Sequence, residues 1–195
     1  VWLLGRMPDR RGAFWIGLCA GTGYFALALS WIVEPFLIDV AATGWMAPFA
    51  LVLLPAGLAL FWAVAAVLAR LFPRPALGFV VAFVALEGLR GVIFTGFPWA
   101  MLGHVWIGTP LDQLAALGGP SLLSLMTLLG AALPVVFRWK GAAGSALLLA
   151  AALGFGLWRL GQPLPDPRPG TLRLVQPNAE QSMKWDADRA QEFLD

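Results

Sequence analysis

Few residues of this chain could do chemistry, and the first of them are charges in a place where charge is expensive. Glu87 and Arg90 stand three apart within the apolar run 76–94. On a helix that spacing puts both on one face, close enough to pair. Each would cost about 2.5–3.5 kcal/mol in a bilayer on insertion scales, so both must face a protein interior and be compensated by each other or by a polar cavity. Counting back from Phe97 at about 1.5 Å per residue sets them about 10–15 Å below the membrane surface. Two readings are open, a structural ion pair and a contribution to a substrate cleft. Next comes Thr95-Gly96-Phe97-Pro98-Trp99. Gly96 frees the backbone and Pro98 biases Phe97 away from helical angles, so a helix must break there and leave two aromatic rings at headgroup depth. That is either an ordinary aromatic turn or a surface that meets lipid.

The remaining candidates are weaker. His104 is the single histidine, in a loop without carboxylate or cysteine neighbours at catalytic or metal spacing. Ser121, Ser124 and Thr127 share one stripe of an apolar segment, where hydroxyls more often pack helices than act as nucleophiles. Cys19 is the single cysteine, which excludes an intrachain disulfide and a zinc site built on paired cysteines; inside an apolar segment it reads as a small buried thiol. Glu34 and Asp39 read as solvated loop carboxylates. No GxSxG or HExxH motif is present, and neither a metal nor a cofactor is implied.

The elements that must position these residues follow from composition. Of 195 residues, 59% are hydrophobic and 12% charged, with a mean hydropathy of +0.77, whereas soluble domains carry about 25% charge. Such a chain belongs in a bilayer, and its runs lack the period-2 alternation of barrel strands. The fold expected is an all-α polytopic helical bundle with about five complete spans, near residues 12–33, 46–71, 76–94, 120–137 and 141–160. Trp31, Trp45, Trp99, Trp106 and Trp158 fit an aromatic belt. The basic residues are scattered and the net charge is +2, which gives no footprint for a nucleic-acid partner.

Arg6, Arg10, Arg11, Arg70, Arg74, Arg138 and Lys140 collect on one side of these spans, while the loops 34–45 and 95–118 contain no Lys or Arg. By the positive-inside rule the first set is cytoplasmic, and the chain leaves its fifth span on the periplasmic face. Residues 161–170 form a proline-rich linker and mark a domain boundary. Beyond it, residues 171–176 read as a short strand, and Asp186 as the cap of a helix carrying Phe193 and Leu194. Val1 opens the chain without a Met and Asp195 falls inside that helix, so the chain is expected to be cut at both ends.

Several pieces recur in a telling order: Glu87-Gly88-Leu89-Arg90-Gly91, Thr95-Gly96-Phe97-Pro98-Trp99, the 103–113 loop with Trp106, and Gly118-Gly119-Pro120-Ser121-Leu122-Leu123. After the linker come Leu172-Arg173-Leu174-Val175-Gln176-Pro177-Asn178 and Gln181-Ser182-Met183-Lys184-Trp185-Asp186. In that order they resemble the apolipoprotein N-acyltransferases, over nearly the whole chain. The resemblance implies an integral enzyme of the bacterial inner membrane with eight transmembrane helices. It also implies a periplasmic nitrilase-like αββα domain, of which 171–195 would be the opening strand and helix.

Its reaction would move an acyl chain from a phospholipid, typically phosphatidylethanolamine, to the α-amino group of a diacylglyceryl-modified apolipoprotein, through a Cys thioester formed by a Glu-Lys-Cys triad. No catalytic residue of that triad can be placed here. Cys19 lies in the wrong domain, Glu180 and Lys184 match the first loop of the nitrilase-like fold, and this stretch alone is expected to be inert. Glu87, Arg90, Phe97, Pro98, Trp99 and Trp106 would line a cleft where phospholipid enters. The competing class is a transporter or membrane scaffold; a transporter should show internal repeats and mid-membrane ionisable residues, and one polar pair without a repeat disfavours it.

Overall fold

The computed structural model describes residues 9–93, 95–163, 170 and 173–174. Helix α1 (Arg10–Ala28) starts at Asp9, whose side chain accepts from the Gly12 amide. It ends at Leu29, where the chain bends by 50° into the 3-10 helix Ser30–Leu37. A short α2 (Val40–Thr43), capped by Asp39, and a 3-10 turn Gly44–Met46 lead into α3 (Ala47–Ala69). Arg70 to Arg74 connect to α4 (Pro75–Arg90), which Pro75 opens at its first position, where a missing amide costs nothing. Two further 3-10 segments, Leu102–Trp106 and Pro110–Leu114, precede α5 (Ala115–Leu160).

Helices α1 and α3 pack through a seam of small residues. A Cβ on Gly17 would sit 2.6 Å from the Trp62 carbonyl, and one on Gly21 would sit 2.9 Å from the Ala59 side chain. With Ala59, Ala63 and Ala66 fully buried, the two backbones approach closely enough for dispersion contacts along their length. Since 17 faces 63 and 21 faces 59, the pair is antiparallel. Trp62 then binds three helices together: its ring lies 5.1 Å from Tyr24 and 5.8 Å from Phe25 on α1, and 5.0 Å from Phe83 on α4. Phe79, Val80 and Phe83 of α4 continue the core onto Leu128 and Ala132 of α5.

Helix α5 reverses direction within itself. Its angles are non-helical at Gly118, Gly119 and Arg138, the last at φ 57°. Ser145 Oγ donates to the Gly130 carbonyl at 2.8 Å, whereas fifteen residues of straight helix would separate the two by about 22 Å. A Cβ on Gly141 would overlap the Leu133 carbonyl, so the two arms touch as soon as they have turned. Arg10, Arg11, Arg70, Arg74, Arg138 and Lys140 thus gather at one end of the bundle, and the 30–46 and 95–114 connections at the other.

Two expectations about the fold are corrected. In place of five complete spans, the described residues contain two helical stretches long and apolar enough to cross a membrane, Val40–Ala69 and Pro110–Leu160. The count rises to three if the bent pair Arg10–Ala28 and Ser30–Leu37 makes one span. The physical reasons are local. Helix α4 stops after 16 residues, where the chain turns after Arg90 and the Arg90 carbonyl accepts from the Phe97 amide instead of continuing the helical ladder. The two apolar runs on either side of Arg138 belong to one helix broken by a reversal. The second correction concerns the αββα part: the described residues contain no strand, and Arg173 and Leu174 carry no regular structure. The remainder of the expected strand and the helix after Asp186 lie outside the described residues.

Candidate functional site

The polar chemistry of the bundle converges on one loop, residues 95–106, and it acts on the loop's main chain. From α4, Arg90 Nη1 donates to the carbonyls of Phe97 at 2.9 Å and Trp99 at 2.8 Å. The Arg90 carbonyl accepts from the Phe97 amide at 3.0 Å, so residue 97 is held from both sides. One turn earlier, Glu87 Oε1 accepts from the Leu102 amide at 2.7 Å. The hydrogen bonds of the two charges therefore go to the loop backbone rather than to each other. Arg90 also lies over the rings of Phe25 and Phe97, 5.2 and 5.9 Å from their centroids, a favourable site for a cation out of water.

Other helices add to the same grip. From α1, the Tyr24 hydroxyl donates to the Met101 carbonyl at 3.3 Å. From α5, the buried Ser124 Oγ accepts from the Gly103 amide at 2.8 Å, and Thr127 Oγ1 accepts from Trp106 Nε1 at 2.7 Å while donating to the Leu123 carbonyl. So much restraint answers a strained path. Thr95 and Ala100 hold positive φ values of 74° and 52°, each costing about 1–2 kcal/mol for a residue with a Cβ. Such angles persist where surrounding contacts over-determine them.

Each expected site residue now has a place. Glu87 and Arg90 are buried, at 4% and 3% exposure, and grip the loop from beneath. Their second polar atoms, Glu87 Oε2 and Arg90 Nη2, are buried without a hydrogen-bond partner among the described residues. Phe97 is half-buried against the cluster of Phe25, Leu29 and Leu58. Pro98 and Trp99 are exposed, and Trp106 is a partly buried anchor through its indole N–H. Trp99 alone among the aromatic candidates presents most of its ring outward, at 54% exposure. His104 stands apart from any catalytic grouping, and the described residues hold no cluster of three metal-ligating side chains. Cys19 is exposed on α1 rather than buried. Asp39 serves as a helix cap.

Sequence reasoning missed the parts played by Trp31, Tyr24, Ser124 and Thr127. Trp31, on the 3-10 helix after the α1 bend, brings its ring to 5.2 Å from that of Trp99, so the 30–46 and 95–106 connections meet at two half-exposed indoles. Ser124 and Thr127 were read as packing hydroxyls and hold the loop instead. The available signal was their three-residue spacing opposite a loop rich in backbone-exposing Gly and Pro. Beneath Leu102 lies an apolar cavity of about 210 Å³, lined by Ile16, Ala20, Trp62, Phe83 and Leu128 among others.

Comparison with known proteins gives the chain's family. Residues 1–133, which include every residue of the grip on the 95–106 loop, match the family described as the apolipoprotein N-acyltransferase N-terminal domain. An apolipoprotein N-acyltransferase of Caulobacter vibrioides is 46% identical over 190 residues, covering 92% of this chain and 36% of the relative. Proteins of the same name from Allorhizobium ampelinum and Rhizobium etli are 38% and 36% identical, each over 95% of this chain and over 39% and 37% of their own lengths. The chain thus spans little more than a third of the relatives it matches. On the extent of the family match, the chain belongs to the apolipoprotein N-acyltransferase family.

Proposed function

We propose that this chain is the membrane part of an enzyme that transfers an acyl chain from a phospholipid of the phosphatidylethanolamine type to the α-amino group of the S-diacylglyceryl-cysteine of an apolipoprotein. The Glu-Lys-Cys residues that carry out the transfer through a thioester lie outside this chain. The described residues supply the surface at which the acyl donor is received. The bundle sits in the bacterial inner membrane with its arginine-rich end in the cytosol, the 95–114 loop on the periplasmic side, and the residues after 161 periplasmic.

The observation that carries the reading is the double hydrogen bond of Arg90 to the carbonyls of Phe97 and Trp99. It supports a loop whose backbone is fixed while the Trp99 ring stays outward beside Trp31. An indole at headgroup depth is amphipathic and wide, suited to contact with a phospholipid near its ester groups. Glu87, Arg90 and Trp106 act in this reading as positioning residues, and Phe97, Pro98 and Trp99 as the floor over which lipid passes.

The test uses the full-length protein. Trp99→Ala should raise the KM for the phospholipid with little change in kcat or thermal stability, because the ring is exposed. Phe97→Ala should affect both KM and stability. If both variants keep parental acyl-donor kinetics and stability, the loop is no lipid platform. Sidedness is checked with Gln162→Cys in a Cys19→Ser background, read by mass spectrometry at the peptide carrying residue 162 so that cysteines elsewhere in the full-length protein do not count. A membrane-impermeant maleimide should label that peptide from the periplasm, and labelling it from the cytosol would overturn the orientation.

A further inference from the structure

We propose that the arginine-rich end of the bundle holds one anionic phospholipid, with its acyl chain along α4 and its phosphate at Arg74, separate from the acyl-donor surface at the opposite end. The seat is a groove of about 420 Å³ lined by Phe72, Pro73, Arg74, Leu77, Gly78 and Val81. It lies where the 70–74 connection meets the first two turns of α4. Gly78 shapes it: a Cβ there would meet the Phe72 ring at 2.7 Å, so the missing side chain lets that ring lie flat on the helix. Val81, at the far end of the wall, is 57% exposed among the described residues. Five of the six lining residues carry no charge, and the sixth stands at the end nearest the membrane surface.

Charge selects the occupant. The Arg74 guanidinium lies 5.1 Å from the centroid of the Phe137 ring, a contact that orients a cation without neutralising it. The reversal that follows Phe137 carries Arg138, Trp139 and Lys140, all exposed, with Lys140 Nζ 5.8 Å from the Trp139 ring. Arg10 and Arg11 stand at the same end. Among the described residues there, the one carboxylate is Asp9, and it is engaged as the α1 cap. An apolar groove with a cationic mouth fits an amphiphile whose head is anionic. A zwitterionic head would bring an ammonium group to a rim of like charge. A free phosphate would leave the apolar wall unused.

The experiment uses the full-length protein purified in detergent, with melting temperature and native mass spectrometry as readouts. Phosphatidylglycerol should raise the melting temperature and remain bound as one lipid per protein, whereas phosphatidylcholine and glycerol 3-phosphate should do neither. The pair Arg74→Gln with Lys140→Gln should weaken phosphatidylglycerol binding by about tenfold or more, which is the order of one charge-assisted phosphate contact. Arg74→Lys should retain it. Val81→Trp, a change on an exposed wall, should displace the lipid while leaving every cation in place, and Arg159→Gln at the other end should change nothing. Equal retention of phosphatidylcholine, an undiminished phosphatidylglycerol shift in the Arg74/Lys140 pair or in Val81→Trp, or a full shift with glycerol 3-phosphate would each overturn the proposal.

Discussion

Arg90 and Trp99 are joined by a 2.8 Å hydrogen bond from a buried guanidinium to a main-chain carbonyl nine residues later. The indole that follows is exposed while its backbone is tied to the interior. A charge inside an apolar bundle is thereby converted into loop geometry, and the cost of its burial is offset by carbonyl acceptors and two aromatic faces.

Arg90→Ala should be among the most damaging single changes in the bundle. It removes both loop hydrogen bonds and leaves Glu87 buried without its neighbouring cation, a loss of about 3–5 kcal/mol by analogy with breaking a buried pair. Arg90→Lys, with one compact ammonium in place of a planar fork, should fall between parent and Ala. Thermal denaturation of the full-length protein, together with limited proteolysis at the 95–106 loop, reads both.

Trp106 and Thr127 should behave as one unit. Either Trp106→Phe or Thr127→Val breaks the 2.7 Å bond and strands a polar partner, for about 1–3 kcal/mol. The double variant should cost less than the sum of the two. Additive losses in a double-mutant cycle of unfolding would show that the bond has no energetic weight.

Ala100→Gly should stabilise. The alanine holds φ 52°, a region that costs a Cβ-bearing residue about 1–2 kcal/mol, while glycine loses about 0.4–1 kcal/mol through greater freedom in the unfolded chain. The expected net gain is about 1 kcal/mol or less, seen as a higher melting temperature. A fall would mean that the angle is not strained.

Gly17→Val should separate α1 from α3. Its branched side chain would begin 2.6 Å from the Trp62 carbonyl, and backbone cannot yield as a flexible side-chain tip can. Overpacking typically costs about 1–3 kcal/mol, occasionally more. Gly23→Val, at a position where a Cβ meets nothing within 4 Å, is the control. The yield of folded full-length protein in size-exclusion chromatography distinguishes the two.

Much of the site was readable before the fold, because bilayer energetics make every buried charge conspicuous. Glu87 and Arg90 were marked as sharing a face from their spacing and as interior-facing from the cost of burying charge, with an ion pair and a substrate cleft both left open, and the break at Gly96-Phe97-Pro98 from backbone sterics. Their actual partners were not readable. An amide or carbonyl is present at every position, so no residue type announces that Leu102 and Trp99 will be gripped. The same blindness hid Tyr24 and Ser124. Hydropathy likewise counted apolar runs without seeing where helices stop: α4 ends at Arg90, and the reversal at Arg138 sits on a residue whose type gives no hint of a positive φ. Trp31 looked like any belt tryptophan because its contact with Trp99 joins segments far apart in sequence.

The hold on residues 97–103 is made through peptide groups, which all amino acids share. Position 99, whose side chain is exposed, can therefore vary without redrawing the curve on which it stands, whereas Phe97 and Met101 are also held by their side chains. New letters can be tried at position 99 with the scaffold underneath indifferent to the spelling.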